Sequence, residues 1–94
     1  MKFLVSYAIV PGAVKTAVGK FLAGEATPQE GVTLLGRWHR IDGSGGFSLY
    51  ETNQLDQLYR GITKWAELLE FEVFPVLEDA EAGPILAENS KHWD

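Results

Sequence analysis

The stretch from Gly36 to Asn53, GRWHRIDGSGGFSLYETN, constrains the fold more than any other part of the chain. Between two strand-like runs, Asp42 to Gly46 holds three glycines in five residues. Glycine reaches positive φ at little cost, and the longer hairpin loops need such positions. A phosphate-binding glycine run would open a helix instead. Here GSGG leads into the apolar run beginning at Phe47, so it reads as a hairpin turn between a second strand, Val32 to Ile41, and a third, Phe47 to Glu51.

Other elements follow on either side. Phe3 to Val10 is almost continuously apolar, as expected of a strand buried on both faces, and Pro11-Gly12 ends it. Val14, Ala17, Val18, Phe21 and Leu22 then fall at helical spacing. Gly19 weakens that helix by about 1 kcal/mol relative to alanine, which suggests close packing on a strand. Gly24 to Gly31 is a polar loop. Thr52 or Asn53 is expected to cap a second helix, whose apolar stripe is Leu55, Leu58, Tyr59, Ile62, Trp65, Ala66 and Leu69. Phe71 to Leu77 is the fourth strand, and Pro75 places it at a sheet edge because it lacks a donor. Glu78 to Asn89 is acidic and reads as solvated surface, with a short helical turn restarting at Gly83-Pro84.

Strand, helix, strand, strand, helix, strand is the order of a ferredoxin-like α+β domain. We expect a four-stranded antiparallel sheet with helices on one face, over residues 1–89, and a fraying tail over 90–94 that carries His92 and Trp93. The first and third strands are expected at the centre and parallel, the second and fourth at the edges. Two helices cover only one sheet face. The other should need a second copy of the chain packed sheet to sheet, giving a homodimer.

Composition narrows the function classes. Ninety-four residues allow one core. A net charge of −5 argues against a nucleic-acid surface. The absence of cysteine removes disulfides and thiolate metal sites and fits a reducing compartment. The opening apolar run is short for a signal peptide or a membrane span, which needs roughly 20 apolar residues. A cytoplasmic protein is expected, with no metal, cofactor, nucleic-acid or membrane partner.

MKFLVSY at the start, GRWH before the glycine turn and GGF, ETN at the helix start, and WAELLEFEVFPVLEDAEAG resemble a family of short bacterial proteins, with similar proteins in cyanobacteria and their phages. That family is domain of unknown function 3303, and the likeness spans roughly residues 1 to 87. The resemblance implies membership of the dimeric α/β-barrel superfamily, where two ferredoxin-like protomers enclose a barrel. Relatives there include antibiotic-biosynthesis-type monooxygenases and stress-responsive barrel proteins. It implies no activity.

Register decides which side chains share a face. A loop of Asp42 to Gly45 pairs Ile41 with Gly46, His39 with Ser48 and Arg37 with Tyr50. Arg37, His39, Ser48 and Tyr50 then share a face turned toward the partner, while Leu34, Trp38, Phe47 and Leu49 lie under the helices. His39 is the candidate catalytic acid or base, or else a structural histidine bonded to Ser48 or a carbonyl. A dyad with Glu51 is disfavoured because that carboxylate points to the opposite face. Arg37 is a candidate carboxylate or phosphate anchor, or a partner for a rim acid. Tyr50, Ser48 and Tyr7 add hydroxyls, and Trp38 and Trp65 add aromatic walls or core. Three readings follow: a small-molecule-binding homodimer, a cofactor-free monooxygenase or isomerase acting on an aromatic substrate, and a structural or regulatory protein with a filled barrel.

Overall fold

Alternation in the strands and 3.6-residue spacing in the helices produce the order β1 (Lys2–Ile9), α1 (Val14–Leu22), β2 (Thr33–His39), β3 (Gly45–Glu51), α2 (Leu55–Thr63), β4 (Leu69–Val76) and α3 (Asp79–Ser90). This is a computed structural model and describes residues 1–93. The four strands form one sheet in the order β2-β3-β1-β4. That is the ferredoxin-like α+β arrangement, with Pro75 on an edge strand as its missing donor requires. All three pairings are antiparallel, which corrects the expectation of a parallel β1–β3 pair. The reason is geometric. The β1–α1–β2 crossover leaves β1 and β2 pointing the same way, and the hairpin then reverses β3 against both.

The hairpin loop has the expected four residues but sits one position earlier, at Ile41 to Ser44, and the Arg40 amide donates to the Gly45 carbonyl (2.8 Å). His39 therefore pairs with Gly46 and Arg37 with Ser48, two residues away from the expected partners. An even shift keeps the same side chains on the same face. Asp42 sets the turn: its Oδ1 accepts from the Ser44 amide (3.0 Å) and hydroxyl (2.7 Å), and Oδ2 accepts from Arg40 (2.7 Å). Those bonds, Ser44 first and the Arg40 charge after it, hold the Asp42 carboxyl below its usual range. A depressed folded-state pKa stabilises above the unfolded carboxylate value and is lost as pH falls through the folded one. Asp42→Ala should thus be less stable than the parent at neutral pH, with the gap closing in strong acid. Denaturant midpoints at the two pH values check this.

The sheet faces are assigned opposite to expectation. Arg37, His39, Ser48 and Tyr50 lie with Phe3, Val5, Tyr7 and Ile9 on the face covered by α1 and α2. Trp38, Phe47 and Leu49 lie on the open face, beside Leu4 and Phe74. Leu34 departs from that set because a β-bulge between Leu34 and Gly36 turns it to the helix side. β1 is consequently buried on one face only: Phe3 and Val5 are buried, Leu4 and Ser6 half-buried and Ala8 exposed.

The core is small and lies toward one end, where Phe3, Val32 and Leu58 pack with Tyr50 and Ile62. Thr52 is buried there. Its hydroxyl donates to the Gly31 carbonyl (2.7 Å) and accepts from the Gln54 amide (2.9 Å), so it ties β3 to the loop instead of capping α2. α2 is also shorter than its stripe predicts: Trp65 to Leu68 form turns, and β4 begins at Leu69. Gly19 has open space around it, not a strand. The C-terminal segment is one helix through Pro84, started by the Glu78 amide donating to the Glu81 carboxylate (3.2 Å). α3 leaves the body, and only Ala82 along it is half-buried. The radius of gyration is 16.2 Å, against about 12 Å for a compact chain of this length. Lys2 links the two parts through Glu78 (3.0 Å) and Glu51 (3.8 Å). The bond to Glu78 leads the other effects that raise the Lys2 pKa.

Candidate functional site

Where the core ends, the sheet and the helices leave a half-open cavity of about 160 Å³. Its floor is built from paired strand positions. One row is Val5, Ser48 and Arg37, and the next is Phe71, Tyr7 and His39, with Gly46 between the last two. Gly46 matters because its missing side chain leaves space that Tyr7 occupies, and a Cβ there would strike the Tyr7 ring and the Trp38 carbonyl. The Tyr7 hydroxyl reaches that same carbonyl (3.4 Å). Burial pushes the Tyr7 pKa up against the pull of the Arg37 guanidinium, and Tyr50 adds to the rise. Tyr7 is therefore a neutral donor through the physiological range.

Arg37 forms one wall. Its Nη2 donates to the Ala26 carbonyl in the α1–β2 loop (3.0 Å), and its guanidinium lies over Phe21, 5.6 Å from the ring centre. No rim carboxylate pairs with it among the described residues: the ion pairs there are those of Lys2 and of Arg40. His39 stands exposed at the mouth, edge-on to the same Phe21 ring (5.3 Å, 72°). Neither a Ser48 bond nor a carbonyl bond holds its ring among the described residues. Glu51 is on the other face, paired with Lys2, so no His39–Glu51 dyad forms. Trp65 lines the opposite wall with Lys20 over its ring at 5.2 Å.

Six of the seven ligand-site residues picked from sequence, namely Arg37, His39, Tyr50, Ser48, Tyr7 and Trp65, line this one cavity. Trp38 does not. It lies on the open face, 56% exposed, folded along the backbone of Gly36. Sequence reading missed Phe21, Phe71 and Gly61. The signal for Gly61 was its place on the α2 stripe, between Leu58 and Trp65, where a glycine leaves space instead of filling it.

A family model described as "Domain of unknown function (DUF3303)" matches residues 1–90. The chain belongs to the DUF3303 family. The fold of this DUF3303 protein is consistent with a place in the dimeric α/β-barrel superfamily. Comparison with curated proteins and with solved structures found no match. Among the described residues of the DUF3303 chain, no helix is long and apolar enough to cross a membrane.

Proposed function

We propose that this DUF3303 protein is a homodimer that binds a small molecule in the sheet–helix cavity of each protomer. The observation that carries the reading is the convergence of Arg37, Tyr7, Tyr50, Ser48 and His39 on one half-open, mostly apolar cavity. Few polar groups in an apolar concavity is the usual make-up of a ligand site. Binding is favoured over turnover because, among the described residues, no carboxylate pairs with His39 to set it up as a base.

Two features support the second copy. Trp38 (56%), Phe47 (41%) and Phe74 (45%) are exposed on the open sheet face. From strand spacing and rise, that face spans about 450 Å² in projection, with its large apolar side chains in one group and Glu70 and Glu72 along the β4 edge. Ile85 and Leu86 on α3 are exposed as well. A stable interface takes roughly 800 Å² from each partner, of which the sheet face would supply about half. In this arrangement the interface and the cavity use opposite sides of the sheet.

Gly61 supplies the test. A Cβ there meets only Gln29 Cγ, at 3.7 Å. Gly61→Ala should therefore stabilise the protein by about 1 kcal/mol through helix propensity, read as a raised denaturant midpoint. Gly61→Leu should fold but fill the cavity. Solvent extraction of the gently purified protein is expected to release a small molecule that Gly61→Leu lacks. Equal recovery from both proteins would place the ligand elsewhere.

A further inference from the structure

Arg37 is a half-buried cation without a counter-ion among the described residues, in a chain that has thirteen acidic residues to eight basic ones. A structural arginine in so acidic a protein would ordinarily be paired. Here none of the acids lies within ion-pair distance of it among the described residues, and a single guanidinium N–H is satisfied by Ala26. A guanidinium carries five N–H donors in a planar fork that matches a carboxylate. The other charges around the cavity are Lys64, which adds to the positive field, and exposed Glu25 at the rim, which opposes it. Lys20 is committed to the Trp65 ring.

Size and walls fix the rest of the ligand. The cavity measures about 160 Å³, close to the about 150 Å³ apolar cavity that accepts benzene. Phe21, Trp65 and Phe71 present ring surfaces to it. We propose that the cavity takes a small monocarboxylate with a single aromatic ring, its carboxylate on Arg37 and its ring against Phe21, Trp65 and Phe71. This rests on the cavity being the ligand site. Tyr7 stands beside Arg37, and its one hydroxyl hydrogen, directed at the Trp38 carbonyl over a long 3.4 Å, would turn from that contact to serve the carboxylate. A phosphate, with a double charge and more oxygens to satisfy, would find one fork and mostly apolar walls.

The test is an NMR titration of the isotope-labelled full chain with benzoate, benzamide, benzylamine and phenyl phosphate. Benzoate should move the Arg37 Nε–H and Trp65 indole signals. It should bind at least about tenfold more tightly than benzamide, the scale of one charge-assisted hydrogen bond. Arg37→Met should erase that preference while benzamide binding survives, and Arg37→Lys should keep part of it. Equal affinity for benzoate and benzamide would overturn the carboxylate assignment and leave the cavity reading standing. Tighter binding of phenyl phosphate would overturn the choice of anion. If none of the four probes moves the Trp65 signal, the cavity reading falls as well. The comparison of probes on the unaltered protein decides the matter even if Arg37→Met fails to fold.

Discussion

Gly46→Ala is expected to cost about 3 kcal/mol or more and to lower the unfolding midpoint sharply. A Cβ at this position would collide with the Trp38 carbonyl on β2 and with the Tyr7 ring from β1. A flexible side chain could give way, but a carbonyl in a paired strand cannot move without opening the β2–β3 ladder. Net stability for a chain of this length is only about 5–14 kcal/mol, so the loss is a large share of it. The same substitution at Gly19 provides the control. There a Cβ meets nothing within 4 Å, and the helix should gain about 1 kcal/mol. Thermal or denaturant unfolding of the two variants should therefore move in opposite directions. A Gly46→Ala midpoint matching the parent's would mean that β1, β2 and β3 do not meet as described.

Trp38→Asp should turn the proposed dimer into a monomer without unfolding it. Trp38 is already largely exposed in the protomer, so little internal packing is lost. Across a sheet-to-sheet interface, loss of a tryptophan anchor costs about 2 kcal/mol or more, and two-fold symmetry counts it twice. The dimer dissociation constant should rise by about a thousandfold. Sedimentation across a dilution series reads this directly, with far-ultraviolet circular dichroism showing that the fold persists. Phe74→Asp, at a half-exposed position on the same face, should act in the same direction. Tyr59→Asp is an exposed change on α2, 68% accessible, and should leave the assembly unchanged.

The order of the first six elements, the strand order and the grouping of Arg37, His39, Ser48 and Tyr50 were legible in the sequence, whereas α3 was read only as a short turn in an acidic surface stretch. Periodicity and turn chemistry determine the first two, and the period of two in a strand determines the third. The side of the sheet taken by the helices was not legible in the hairpin alone. Sliding the register by two residues keeps the partners of a face together, and nothing in β2 or β3 says which face is covered. The missing signal lay in β4, where Glu70 and Glu72 alternate with Phe71 and Val73. Two glutamates can face an open surface but not a helix-covered core, and through the β1 pairings they mark the face of Ser6 and Ala8 as open. The bulge at Leu35, which moved Leu34 to the other face, was announced only by the neighbouring Gly36, a residue that often marks a bulge inside a strand. β1 misled for a related reason: its apolar residues run through both faces, though only one is covered within the protomer. Cavities, finally, are absences. Only Gly61, on an otherwise apolar stripe, hinted at one.

Native mass spectrometry of the gently purified, full-length protein reads both halves of the proposal in one spectrum. The account predicts a species at twice 10.4 kDa, carrying added mass equal to one small molecule per protomer. A bare 10.4 kDa chain at micromolar concentration, with neither a second copy nor added mass, would contradict it.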